Sequence, residues 1–204
     1  MLLSLQRHKL VFSIVVFFLA LIITVALISS FWPKDSEQFI ELGLLGRDKM
    51  ANGYYPNDNS TLSTGSQLNW YIYLHNHTTN SQSIVIRVKL LNSTMQAPND
   101  TENEPSPFVS VVELPVFLPV DNTQLIPFSW SILETVSQNN SIVITSLMVN
   151  GQAFNVDVPA LSHSSFSMVF ELWVYDQASH EYMFGWKSGK EFVSASVNIG
   201  FNVS

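Results

Sequence analysis

Cysteine is absent from the 204 residues, and charge is scarce, with Asp, Glu, Lys and Arg making up 12% of the chain, about half the ~25% usual in soluble proteins. The lack of cysteine excludes structural disulfides, thiolate metal sites, iron–sulfur clusters, blue-copper centres and a cysteine nucleophile. Positive charge is the scarcer sign: 9 Lys and Arg face 16 Asp and Glu, for a net charge of -7. Between Lys89 and Lys187 no Lys or Arg occurs across 97 residues that hold ten acids. Such a surface repels phosphate backbones, so nucleic acid is excluded as a partner. Catalytic motifs are missing as well. The chain has no G-x-S-x-G elbow, no H-E-x-x-H, no P-loop and no dinucleotide fingerprint, and it reads as a protein that is not an enzyme and carries no cofactor. Disorder is excluded by a hydrophobic content of 47%, far above what disordered chains carry.

What the chain does have begins with residues 10–32, LVFSIVVFFLALIITVALISSFW, a run of 23 residues without a charge. About 20 apolar residues in a helix cross the ~30 Å hydrocarbon layer of a bilayer. Arg7 and Lys9 precede the run and Trp32 closes it. The positive-inside rule therefore places residues 1–9 in the cytoplasm as a short stub and residues 33–204 outside. A cleaved signal peptide has the same charge order, but its apolar region spans only ~7–15 residues and ends on small residues. Here Ala26, Ser29 and Ser30 are interleaved with Leu27 and Ile28. The expectation is a retained anchor that makes the lipid bilayer a partner through residues 10–32.

Residues 33–204 read as one mainly β outer domain. Period-two alternation marks half-buried strands. Over residues 83–91, Ile84, Ile86, Val88 and Leu90 share a face while Arg87 and Lys89 point away. Over 166–175 the inward set is Phe166, Met168, Phe170, Leu172 and Val174. At the C-terminus Val193, Ala195, Val197, Ile199, Phe201 and Val203 alternate with small or polar residues. Asn150-Gly151 lies between two apolar runs and signals a two-residue hairpin, because a type I′ turn needs positive φ at both positions. No window of ten residues has a helical period. The expected architecture is an antiparallel, Ig-like β-sandwich. Residues 92–107, with three prolines and Asp100, Glu102 and Glu104, read as a solvated loop, since the Gly-centred EF-hand pattern for Ca²⁺ is missing.

Six Asn-x-Ser/Thr sequons stand at Asn59, Asn76, Asn92, Asn99, Asn139 and Asn202. Composition alone gives about three, so the acceptor motif is in roughly twofold excess. Glycans are bulky and solubilising, which would offset the shortage of charge. Asn59, Asn92, Asn99 and Asn139 fall in expected loops, and Asn202 on the outward face of the last strand. Strict alternation turns Asn76 inward. The same strand puts Tyr71, Tyr73, His75 and His77 on one face. Histidines at i and i+2 stand ~6.5–7 Å apart, close enough to share a metal if His163 or His180 supplies a further ligand. Hydrogen-bonded imidazoles at a wet strand end are the simpler reading.

Phe39-Ile40-Glu41-Leu42-Gly43-Leu44-Leu45-Gly46, then Tyr55-Pro56, then Asn59-Ser60-Thr61-Leu62-Ser63-Thr64-Gly65 and a strand closing on Asn76-His77 succeed one another in the outer domain. This order resembles the start of an uncharacterised family of archaeal membrane proteins, the domain of unknown function sixteen-sixteen. There a strand F-T-E-F-Y-x-L-G precedes Y-P-x-N-L-T-x-G and a strand ending N-H-E. Thr78 replaces the acid here, and residues 166–176 are similar to the family's late F-x-L-x-x-Y strand. The resemblance spans roughly half of the outer domain. It implies an archaeal envelope protein with a sandwich outside the membrane, and it brings no activity and no catalytic residue. Members often carry several membrane helices before this domain, whereas this chain has one apolar run. The functional expectation is a structural or interaction subunit contacting other envelope or membrane proteins. The alternative is a ligand- or metal-binding accessory protein using the Tyr71, Tyr73, His75 and His77 face.

Overall fold

The computed structural model describes residues 16–24, 38–138, 141–161, 165–188, 191–193 and 195–204. Residues 1–36 and 37–204 separate into two units. In the first, residues 16–24 are helical. Their large apolar side chains are exposed on every face, from Val16 and Leu21 at 49% to Phe17 and Ile22 at 65%. Thr24 Oγ1 donates to Ala20 O at 2.8 Å, which leaves no polar group of that side chain unpaired. Among the described residues no helix is long and apolar enough to cross a membrane. The remainder of the expected span lies outside the described residues.

The second unit is built, among the described residues, from thirteen strands: β1 (Ile40–Leu45), β2 (Thr61–Leu62), β3 (Leu68–Asn76), β4 (Gln82–Asn92), β5 (Val112–Leu118), β6 (Thr123–Gln138), β7 (Ser141–Val149), β8 (Gln152–Leu161), β9 (Phe166–Asp176), β10 (Glu181–Phe184), β11 (Trp186–Ser188), β12 (Glu191–Val193) and β13 (Ser196–Val203). Its only described helical element is a 3₁₀ turn at Pro56–Asp58. One sheet runs β1-β3-β6-β7-β8 and the other β2-β13-β9-β4-β5, with β10 beside β9 and β11 paired to β12 as a ribbon. Among the described residues the named strands pair antiparallel with one exception, apart from an isolated parallel bridge between Trp173 and Gly185. β2 runs parallel to β13, with Asn202 opposite Thr61, which corrects the all-antiparallel expectation. β2 is two residues long, and so short a strand joins the second sheet along whichever direction the β1–β2 connection delivers it.

The two sheets close on one core. Ile84, Ile86, Val88 and Leu90 of β4 and Phe166, Met168, Phe170, Leu172 and Val174 of β9 are all buried, as their alternation requires. Ala195, Val197, Ile199 and Val203 of the C-terminal segment pack against that core, and Phe201 lies within it. Trp70 occupies the centre, with ring centroids 5.1 Å from Trp130 and 6.3 Å from Phe170. Phe128–Phe170 and Trp130–Phe201 contacts bridge the sheets at 5.0 and 5.1 Å. Each fully buried aromatic of this kind stabilises the fold by about 1.5–3 kcal/mol relative to exposure, and the edge-on geometries add to it. At the expected hairpin Asn150 has φ 47 and Gly151 φ 80, both left-handed as a type I′ turn demands.

The outward face of β4 and β9 departs from expectation. Val85, Leu91 and Val169 are buried there, and so are Lys89 and Glu171. Lys89 therefore does not point into solvent. The segment between β4 and β5 covers this face instead of standing clear of it, and its Ser106 is only 3% exposed.

Candidate functional site

β3 lies between β1 and β6, so the residues alternating out from its core side form a stripe along the outer face of that sheet. Tyr73 stands opposite Gly43, and a Cβ on that glycine would sit 3.5 Å from the tyrosine ring. Lys49 lies 5.2 Å from the centre of the Tyr71 ring, a cation–π distance. At the far end His75 and His77 bring their rings to 4.0 Å at a 48° tilt, and Phe39 stacks on His77 at 4.2 Å.

The histidine nitrogens take separate partners. His75 Nδ1 lies 2.6 Å from Thr123 Oγ1 and its Nε2 3.6 Å from Asp121. His77 Nε2 lies 3.4 Å from Glu41. His180 pairs with Tyr175 at 3.3 Å, and His163 lies outside the described residues. Among the described residues no group of three or more His, Cys, Asp or Glu side chains is arranged to hold a metal ion. The stripe thus resolves into imidazoles braced across three strands by a hydroxyl and two carboxylates.

The sequons share a local geometry that spacing alone does not show. Asn59, Asn76, Asn92 and Asn99 each turn the side-chain oxygen onto the backbone N–H two residues on, at Thr61, Thr78, Thr94 and Thr101, over 2.8–3.1 Å. At Asn76 and Asn92 the threonine hydroxyl donates to the same oxygen, at 2.7 and 2.8 Å. An Asn oxygen accepting from residue i+2 is an Asx turn, so the Asn-x-Thr motif has a structural use here as well as a chemical one. The four sites differ in what remains of the amide nitrogen. Asn59 is exposed. Asn92 and Asn99 are half-buried, with nitrogens donating to Pro159 O and to Glu102 at 2.9 Å respectively. Asn202 is half-buried beside β2, and Asn139 lies outside the described residues.

Asn76 does not fit a glycan. It is fully buried, and its nitrogen serves Asn80 O and Pro119 O at 2.9 Å and Leu118 O at 3.3 Å. Adding sugar to that nitrogen would break these bonds, of which the one to Leu118 O is buried. Asn76 is instead a knot that ties the β3–β4 turn to the end of β5.

A second polar cluster lies under the β4–β5 segment, where sequence reasoning placed none. Lys89 Nζ sits 2.8 Å from Glu171 Oε2 and donates to Ser106 O at 2.5 Å. Ser106 N–H donates to Glu171 Oε1 at 2.7 Å, and Trp173 Nε1 to Oε2 at 3.0 Å. In register across the sheet, Glu113, Arg87, Glu171 and Ser196 form one transverse row. Arg87 lies 2.8 Å from Glu113 and stacks its guanidinium 3.8 Å above Trp173, and Ser196 donates to Asp100 in the covering loop. A signal was present in the sequence. Ile84-Val85-Ile86 and Met168-Val169-Phe170 are apolar on both faces, which marks strands covered from two sides.

Several cavities border the sandwich, two of them beside the elements described above. One of about 490 Å³ is lined by Gln82, Val174, Asp176, Met183 and Trp186. The other, of about 370 Å³, lies under the β1–β2 connection against Tyr54, Tyr55 and Asn69. Tyr55 OH donates to Gly200 O at 2.6 Å, and burial pushes the phenol up to about 12. Compared with known protein families and with characterised proteins, the chain matches none.

Proposed function

We propose that this chain is a single-pass membrane protein whose Ig-like sandwich stands on the extracytoplasmic side, carries N-linked glycans, and acts as a structural or interaction subunit of the cell envelope or of a membrane complex. The observation that carries the reading is the helix at residues 16–24, whose apolar side chains are exposed all round. A helix that is hydrophobic on every face is stable only inside a protein or a bilayer. It lies within a charge-free run of 23 residues flanked by Arg7 and Lys9, long enough to reach across the hydrocarbon layer.

The strand order supports the Ig-like assignment. β1-β3-β6 corresponds to strands A, B and E, and β13-β9-β4-β5 to G, F, C and C′ of variable-type domains. The resemblance to the archaeal membrane-protein family points the same way. Asn59 is the acceptor that its exposure and its Asx turn favour most, and burial argues against Asn76.

An alkaline carbonate wash of native membranes tests the anchor. The protein should stay with the lipid pellet, and its release into the supernatant would overturn the reading. Peptide mapping of the membrane-extracted chain should find mass added at Asn59 and none at Asn76.

A further inference from the structure

We infer that the cavity under the β1–β2 connection is a seat for one neutral saccharide ring. At about 370 Å³ it falls within the range of small-molecule pockets. Its floor is rigid. Tyr54 OH donates to Leu44 O at 2.8 Å, Tyr55 OH to Gly200 O at 2.6 Å, and Trp70 Nε1 to Tyr54 O at 2.7 Å. Both phenol hydroxyls are spent on the protein, so the tyrosines offer the cavity apolar surface, suited to the C–H face of a sugar.

The walls are polar and only partly committed, Arg47 to Asp48 at 3.6 Å and Gln67 to Ser129 at 3.0 Å. Arg47, Asn57, Asp58 and Asn69 line the cavity, and among the described residues none supplies a hydrogen bond to the Asn57, Asp58 or Asn69 side chain. Amides donate and accept, as a hydroxyl does, and with Asp48 3.6 Å from Arg47 and Asp58 in the wall there is no net positive charge. That balance fits a neutral polyol and disfavours an anion. Asn57 and Asp58 are consecutive left-handed residues, each at φ 54. Conformations of this kind persist where the surroundings enforce them, often at ligand sites, and here Asp58 N–H to Tyr55 O at 3.2 Å and Asn59 N–H to Pro56 O at 3.1 Å do so.

The saccharide has two possible sources, and one of them rests on the proposed glycosylation of Asn59. Asn59 comes directly after Asp58, and its oxygen is held by the Thr61 N–H. A glycan on its nitrogen would begin at the rim of the cavity. The other source is a free saccharide, or one carried by a partner.

Thr61→Ala separates these, because it destroys the sequon while keeping the backbone N–H that holds Asn59. Full-length Thr61→Ala in detergent micelles, titrated with glucose, mannose, galactose and N-acetylglucosamine, should show saturable amide shifts confined to residues 47–58 and 67–69. For at least one sugar the dissociation constant should be on the order of 1 mM. Asp58→Ala and Asn69→Ala in that background should each weaken it about tenfold or more. Absence of saturable shifts with all four sugars, or unchanged affinity in both variants, would overturn the seat. Wild type carrying mass on Asn59 should bind the added sugar at least about tenfold more weakly if its own glycan fills the seat. Equal affinity assigns the seat to a saccharide supplied from elsewhere. A bare Asn59 by mass spectrometry sinks the glycan source alone and leaves the titration to judge the seat.

Discussion

Lys89 carries its charge to a place where 4% of its side chain is exposed, and Glu171 meets it where nothing is. Burying two charges costs several kcal/mol per ion, and only good geometry with further hydrogen bonds offsets it. Glu171 has both, through Ser106 and Trp173. Lys89→Met should therefore cost about 3–5 kcal/mol, since it leaves a carboxylate buried without a partner. Adding Glu171→Gln should recover part of that loss, because the charge is gone and the amide oxygen still accepts from one of the two N–H donors, Ser106 or Trp173. Equilibrium denaturation of the two variants checks the pair, and a double variant as unstable as the single one would show that packing, not charge, is at stake. Gly46 sets a different constraint: a Cβ there would lie 2.0 Å from Asn52 O. Gly46→Ala should cost about 1–3 kcal/mol, the usual penalty for overpacking, read as a lower denaturation midpoint. Tyr55 gives the pH dependence. Its phenol holds its proton to about 12 in the fold against 10.0 for the free group, so the unfolded chain loses the proton first. The stability it contributes is whole below pH 10.0 and lost as pH rises through about 12. Tyr55→Phe should flatten the stability profile across that window.

At the scale of elements, local period made part of the fold legible in the sequence. The inward sets of β4 and β9 and the described positions of β13 come straight from alternation, and the β7–β8 hairpin from Asn150-Gly151, because each depends on residues close in the chain. The two-faced apolar runs of β4 and β9 signal that their outer face is covered, but the segment that covers it was not legible. The cover is made by a polar segment whose attachment runs through Ser106 to Lys89 and Glu171, 17 and 65 residues away, and a polar segment with three prolines gives no local sign of being pinned. The candidate site divided in the same way. His75 and His77 share a face, as the i, i+2 spacing requires, but the carboxylates that engage them come from β1 and from the β5–β6 turn. The saccharide seat was hidden because its floor joins β3, the β1–β2 connection and β13, which are far apart in the chain. The hairpin allows a direct test. Nothing lies within 4 Å of a Cβ added to Gly151, so Gly151→Ala should cost only the left-handed backbone penalty, about 1 kcal/mol. Asn150→Ala should cost about 1 kcal/mol more, since the Asn150 side chain accepts from Ser129 N–H at 2.9 Å. Thermal or denaturant melts of the two variants read both values.

For the whole molecule, the shortage of charge, the exposed apolar helix and the sequon excess fit one arrangement, in which lipid covers one part and sugar wets another. The Asx turns qualify the sequon count. Four of the six motifs shape the backbone whether or not they carry sugar, and at Asn76 the side chain is also buried. Topology is the central proposal, and protease protection tests it most directly. Protease is added to intact cells that express the chain with distinct epitopes at its two ends, and the membrane fraction is then blotted. The C-terminal epitope should be lost while a membrane-bound fragment bearing the N-terminal one survives. Protection of both epitopes, or a mature chain whose sequence begins after Ala26 or Ser30, would overturn the proposed topology.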